Sequence, residues 1–389
     1  MLNQLLSFIF SLISLIIPTN KKVYIFGSWF GEKYNDNSKY LYEYILENHP
    51  EIKAYWFTRE KKVFEHLKRE RKPVLYGVSI NSICLHLVAF VVFYTVSFNK
   101  DLMGPFTNKK TIKFNLWHGS PMKKIGLDVI RSGVGLKESL VVSHIDSRFR
   151  RLVKKCFRGI YKKATLKREL ILSSSAEISE CLKTAFGLND KQVMLAGYPK
   201  LDHFFKSDEY ITGKLLYAPT YRGDYNSELD ILTEFGFELK KIEDWLEREN
   251  LELDIKLHPA NRLPSEVEEK INDSCRVNLL EVDDIYEVLN LYEYVITDFS
   301  SIFFDALAIG KKVILAPFGI DSYLENDREL YFNVGELFPY DKSYDWVELI
   351  ENFKGYKKLC QIEEARLFYN YADGESSKRI MEMLGKIDK

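Results

Sequence analysis

No two cysteines in this 389-residue chain stand close enough to make a C-x-x-C pair; Cys84, Cys156, Cys181, Cys275 and Cys360 are widely scattered. That spacing encodes neither a zinc site nor a disulfide framework, and it fits a reducing compartment. An excess of one charge is also missing. Lys and Arg number 55 against 56 Asp and Glu, a formal net charge of −1. No global field therefore draws the chain to nucleic acid, and any preference for a polyanion has to arise from local clustering. Glycine (20) and proline (11) are modest, and no repeat or low-complexity tract occurs, which excludes collagen-like and disordered classes. No acidic pair has clear metal-ligand spacing, so no metal is expected, and no cofactor either.

Long apolar runs are short of a bilayer crossing. The opening MLNQLLSFIFSLISLIIP stops at Pro18, below the ~20 residues that a membrane-spanning helix needs. No Lys or Arg precedes it and no small-residue cleavage site follows, against a signal peptide. Asn3, Gln4, Ser7, Ser11 and Ser14 recur every three or four positions, which places them on one side of a helix with Leu, Ile and Phe opposite. This periodicity predicts an amphipathic helix over residues 1–20 that either lies in a membrane interface or packs on its own domain.

What is present is a globular composition, 46% apolar with 26 Phe and 24 Tyr, in a chain long enough for two packed domains and a cleft between them. From residue 22 onward β-rich runs alternate with helical stretches, the pattern of a parallel sheet covered by helices. Strands are expected at 23–29, 53–58, 73–77, 89–96, 112–119, 170–175 and 193–199 in a first domain, residues 21–207. In a second domain, residues 208–389, they are expected at 215–221, 253–259, 276–281, 294–300 and 312–318, followed by one or two terminal helices from about Tyr344. The apolar stretch from Ile80 to Phe98 reads as a buried helix followed by a buried strand.

Four segments lie at the carboxyl ends of predicted strands, where open α/β sheets place their ligands. In FNLWHGSP the strand ends in His118, with Gly119 permitting a sharp turn. An imidazole there suits proton transfer, although a histidine bonded to a nearby carbonyl would look the same in sequence. In IKLHPANR, His258 and Arg262 together suit phosphate oxygens, against the plain alternative of a charged surface loop. YEYVITDFSSIFFDALAIG puts Asp298, Ser300 and Ser301 where a helix begins and Gly310 where it ends. Hydroxyls and free amides at a helix start bind phosphate, and ordinary capping uses the same residue types. Asp305, one turn in, faces either a ribose or solvent. LLYAPTYRG adds Thr220 and Arg222 at a further strand end. The GSWFGEK segment (27–33) fails as a Walker motif and remains a glycine-bearing turn facing the cleft.

A separate signal is RFRRLVKKCFRGIYKKATLKR, residues 148–168, which contains Arg150, Arg151, Lys154, Lys155, Arg158, Lys162 and Lys163 among its basic residues and no acid. Such a concentration in a near-neutral chain points to a polyanionic neighbour: an anionic membrane surface first, a phosphate-rich acceptor polymer second, with a solvated basic face as the plain alternative.

Taken in order, GSWFG with YNDNSKYLYEYI, then LWHGSPMKKIG, AGYPKLD, YAPTYR, KLHP and TDFSSIFFD resemble the CDP-glycerol glycerophosphotransferase family over most of the chain. The resemblance implies a GT-B-like α/β fold of two Rossmann-like domains around a cleft. It also implies transfer of glycerol phosphate or ribitol phosphate from a CDP-activated donor to a hydroxyl of a lipid-linked or polymeric acceptor, with release of CMP, at the cytoplasmic face of the membrane in teichoic acid or capsule synthesis. In that reading His118 and His258 are catalytic, while Gly119, Thr220, Arg222, Arg262, Asp298, Ser300, Ser301 and Asp305 surround the donor. Lys200 stands where family members commonly show Arg, and Gly223 where Asp is frequent. The rivals are a sugar transferase or epimerase using a UDP-sugar on the same architecture, and a noncatalytic polyanion- or lipid-binding module.

Overall fold

The computed structural model describes residues 10, 14, 16–132, 169–206, 211–220, 222, 227–228, 230–257, 261–326, 329–333, 342–358 and 360–387. Its first lobe is a seven-stranded parallel sheet: β1 Asn20–Phe26, β2 Lys53–Thr58, β3 Val74–Tyr76, β4 Ala89–Tyr94, β5 Ile112–Asn115, β6 Glu169–Ser173 and β7 Val193–Leu195, in the order β3-β2-β1-β4-β5-β6-β7. The second lobe holds β8 Lys214–Tyr217, β9 Ser227–Glu228, β10 Glu252–Ile255, β11 Asn261–Arg262, β12 Val277–Leu279, β13 Tyr294–Thr297 and β14 Lys312–Leu315. Five of these form a second parallel sheet, β12-β10-β8-β13-β14, and β9 pairs with β11 as a two-residue ladder. Both main sheets therefore reverse direction beside their first strand, the doubly wound arrangement whose ligands sit at the strands' carboxyl ends.

The strand sequences are near-continuous apolar runs because helices cover both faces. AFVVFY of β4, for example, is buried at five consecutive positions. The twelve strands expected from sequence are all present, but most end earlier than their apolar runs suggest. The chain leaves the ladder after Asn115 and after Thr297, and the residues beyond become the loops that face the cleft. The Ile80–Phe98 stretch resolves into a helix, Ile80–Val88, and β4. That helix is only half buried, with Ile80 83% exposed. From Tyr344 onward three helices form rather than one or two: Trp346–Tyr356, Ile362–Phe368 and Ser376–Ile387.

One apolar cluster runs through both lobes, joining Phe26, Phe93 and Phe114 of the first sheet to Phe299, Ile302, Phe303 and Phe304 of the second. The helix Ile302–Ala308 is buried at all seven positions. Each of its large apolar side chains contributes about 1.5–3 kcal/mol by leaving water. Polar contacts reinforce the junction. Lys39 pairs with Asp284 (3.3 Å) and with Glu287, and Tyr40 donates to Asp284 (3.1 Å). Lys123 and Leu330 form an antiparallel bridge between the lobes. Residues 370–379 return to the first lobe, where the Asn370 amide reaches the Ser174 carbonyl (2.9 Å) and Arg379 reaches that of Ala196 (2.6 Å).

Of the predicted amphipathic helix, only Phe10, Ser14 and Ile16 onward are described. Ser14 is fully buried, its hydroxyl accepting from the Lys109 amide (3.4 Å), and Phe10 packs edge-on against Phe106 at 4.8 Å. These contacts lie on the protein, and the rest of the expected helix lies outside the described residues. Among the described residues no helix is long and apolar enough to cross a membrane.

Candidate active site

His118 follows β5 in a turn that side chains distant in sequence hold in shape. The Asn115 carboxamide accepts from the Trp117 amide (2.9 Å), and Trp117 adopts a positive φ of 51°. Asn37 donates to the carbonyls of Leu116 (3.2 Å) and Trp117 (2.9 Å) and accepts from the Lys200 amide (3.2 Å). Gly119, with φ 148°, lies so close to the second lobe that a Cβ there would stand 2.9 Å from the Ser301 side chain. Glycine is required both for the backbone angle and for this approach. The turn carrying His118 thus abuts Ser301, just before the helix Ile302–Ala308.

The imidazole sits beside Trp117 (4.2 Å between ring centroids) and Trp29 (5.7 Å). Its Nδ1 faces the Thr95 carbonyl at 3.4 Å. A carbonyl can only accept, so Nδ1 carries the proton and Nε2 keeps its lone pair. Burial pushes the pKa down to about 4; Lys200 and Lys123 act in the same direction, against the Thr95 carbonyl and Asp305. His118 is therefore neutral at physiological pH, a proton acceptor already in the correct tautomer.

The GSWFG segment forms the neighbouring wall. Trp29, Phe30 and Gly31 have positive φ of 41°, 64° and 79°, a sequence of left-handed residues that costs energy for the two aromatics. Asp101 sustains it by accepting from the amides of Phe30 (2.9 Å), Thr95 (3.0 Å) and Val96 (2.8 Å). The Trp29 indole donates to Asp36 (3.1 Å), whose carboxyl is pushed up to about 6 by burial despite the opposing charge of Lys200.

In the second lobe, β8 and β13 deliver their carboxyl ends to the same cleft. Asp298 is buried and accepts from the amides of Thr220 (2.7 Å) and Phe299 (2.7 Å), and its other oxygen pairs with Arg222 (3.0 Å). Its carboxylate thus orients Thr220 and Arg222. Arg222 also donates to the Phe318 carbonyl (2.6 Å) and exchanges hydrogen bonds with Asn261. The Thr220 hydroxyl and Arg222 Nε are buried without a hydrogen-bond partner among the described residues, as expected of donors that await a ligand. Ser300 and Ser301 are half-buried, and the Ser301 side chain makes no capping bond to its helix. Arg262 is exposed on β11, which pairs with β9.

Two expectations are corrected. Asp305 faces neither ribose nor solvent: it is fully buried, ion-paired to Lys200 (2.8 Å), and accepts from Tyr286 (2.5 Å) and Tyr369. Asp298 organises donors instead of meeting a phosphate, which its own charge would repel. His258 lies outside the described residues, as do Arg150, Arg151, Lys154, Lys155, Arg158, Lys162 and Lys163. Residues that sequence reading did not single out include Asn37, Asp36, Thr95 and Tyr286; all but Asp36, which binds Trp29, act through partners far along the chain.

Two doubly wound parallel sheets, with His118 after a strand of one and the Thr220 hydroxyl and Arg222 Nε after a strand of the other, make a two-lobed GT-B-like architecture. The chain belongs to the CDP-glycerol:poly(glycerophosphate) glycerophosphotransferase family, whose pattern matches residues 9–386, and it is an enzyme of that family. It is 24% identical over 390 residues to the teichoic acid glycerol-phosphate transferase of Staphylococcus aureus (strain NCTC 8325 / PS 47), covering 94% of both chains. Identity is also 24% to the teichoic acid poly(glycerol phosphate) polymerase of Bacillus subtilis (strain 168), where 90% of this chain spans 48% of that protein. The solved structure of the wall teichoic acid polymerase TagF superposes with a TM-score of 0.68 at 19% identity, covering 99% of this chain and 92% of that one.

Proposed function

We propose that the protein transfers a polyol phosphate, glycerol phosphate or ribitol phosphate, from a CDP-activated donor to a hydroxyl of a lipid-linked or polymeric acceptor in teichoic acid synthesis. The observation that carries this reading is the neutral His118, its Nδ1–H directed at the Thr95 carbonyl and its turn packed against Ser301 of the donor lobe. His118 Nε2 takes the proton of the acceptor hydroxyl as that oxygen bonds to the donor's distal phosphorus. The phosphorus–oxygen bond to CMP breaks, and CMP leaves with the electron pair. Thr220 and Arg222, with Ser300 and Ser301, surround the diphosphate; Arg262 and His258 meet the departing phosphate. Positioning and electrostatics do most of the work, as in phosphoryl transfer generally, and no cofactor enters.

Family membership supports this donor class over a UDP-sugar, because the second lobe's phosphate donors do not by themselves identify the group attached. The names of the relatives include both glycerol-phosphate and ribitol-phosphate enzymes, so the polyol is chosen by experiment. Work at the cytoplasmic face of the membrane, with the basic segment 148–168 on anionic lipid, completes the proposal. Incubation with CDP-glycerol, CDP-ribitol and UDP-sugars, with chromatography of the nucleotide product, tests it. CMP release that disappears in His118→Ala is the expected result; UMP or UDP release, or full turnover in a folded His118→Ala, refutes it.

A further inference from the structure

Behind the His118 turn lies a charged cluster closed to solvent. Lys200, fully buried, sends its ammonium to the His118 carbonyl (2.9 Å), to Asp305 (2.8 Å) and to the Tyr286 hydroxyl (2.7 Å). These are three acceptors for three N–H bonds. Its amide donates to Asn37, which holds the two carbonyls before His118. Asp305 lies on the helix Ile302–Ala308 of the second lobe, fully buried, and Tyr369, from the chain that returns to the first lobe, donates to its other oxygen. One side chain therefore touches the base-bearing turn, the donor-lobe helix and, through Asp305, the C-terminal segment.

A buried ion pair adds little to stability compared with an apolar pair of the same size, but it strictly fixes geometry when every partner is satisfied. This one stands where Gly119 and Ser301 already approach within contact distance. Domain closure cannot be accommodated here by sliding, since any shift of the helix would strand a carboxylate and an ammonium out of water. We infer that Lys200 is a positioning residue: paired with Asp305, it clamps the His118 turn to the donor helix and sets the distance between base and donor phosphates. The consequence for His118 rests on its proposed role as base, whereas the clamp itself does not.

The test separates fixing geometry from merely holding the fold. Lys200→Met leaves Asp305 buried and unpaired, so that single variant is expected to unfold readily. Lys200→Met with Asp305→Asn removes both charges, and the amide can accept from one tyrosine through its oxygen and donate to the hydroxyl of the other through its nitrogen. Thermal stability in the double variant is expected to return to near the parent's. Its kcat with CDP-glycerol should stay about 100-fold down, the scale of a 1 Å misplacement, with KM changed less than about threefold. Amide hydrogens of Trp117, His118 and Gly119 should exchange about tenfold faster, because the carbonyl of His118 has lost its donor. Lys200→Arg, which keeps the charge and has donors enough for the three acceptors, should retain kcat within about tenfold. If activity returns together with stability in the double variant, or if exchange across residues 117–119 is unchanged, the clamp is refuted. Should His118→Ala keep its turnover, the base assignment fails, and the exchange measurement alone decides on the clamp.

Discussion

Asn37→Ala is the most searching perturbation of the site, since Asn37 touches no substrate in the proposed arrangement. Its side chain makes three hydrogen bonds, to the carbonyls of Leu116 and Trp117 and from the amide of Lys200, and it is fully buried. Three bonds at a net 0.5–1.5 kcal/mol each give about 3 kcal/mol, and the backbone groups left unpaired out of water raise the expected loss to about 3–5 kcal/mol. Trp117, at φ 51°, then has less to keep it in a left-handed conformation. His118 should drift, and a displacement near 1 Å costs about 100-fold in rate. Denaturant unfolding measures the first number; CMP release from CDP-glycerol by the folded variant measures the second. A loss of stability below about 1 kcal/mol together with an unchanged kcat would refute the claim that Asn37 shapes the turn.

Three further outcomes follow from the structure. Because His118 is lowered to about 4, the acidic limb of kcat/KM, which reports the free enzyme, should fall near pH 4 and not near 6.5. The anionic donor favours imidazolium, so the kcat limb should lie higher; coincident limbs at 6.5 would contradict the burial argument. His86 is fully buried, donates to the Ser82 carbonyl (2.7 Å) and is likewise lowered to about 4 by burial. A histidine depressed in the fold binds fewer protons there than when unfolded. Stability should therefore decline as pH falls from about 6.5 to about 4, and by about 3 kcal/mol less in His86→Phe if the replacement packs equally well. Asp298→Ala frees Arg222 and the Thr220 amide, and should raise KM for the CDP-donor about tenfold or more with a smaller change in thermal stability; an unchanged KM would remove these two residues from the donor site.

Much of the architecture could be read from sequence because parallel strands in a doubly wound fold are short apolar runs separated by helices. The strand ends were harder to place. IKFNLWHG keeps a strand-like pattern through Trp117, yet the strand stops at Asn115 because Asn37 and Asn115 capture backbone groups of Leu116 and Trp117. The positions of His118, Thr220 and Arg222 just beyond strand ends were legible in the sequence. Asp305 was not: helix periodicity puts it one turn into a helix, and only the packing of a second lobe shows that this face is sealed. Lys200 and Asn37 were invisible as site residues for a related reason. Their partners lie 82 residues away at His118 and 80 at Trp117, and no local pattern encodes such pairings.

The return of residues 370–379 to the first lobe orders events during synthesis. The Ser174 and Ala196 carbonyls and the Asp202 carboxylate belong to the first lobe, yet they obtain partners from Asn370, Arg379, Ser376 and Ser377. A ribosome must translate past residue 379 before these groups are all satisfied. The amino-terminal lobe therefore waits, incompletely sealed, for the end of the second, and nascent chains halted before residue 370 should be preferred substrates for chaperones and proteases.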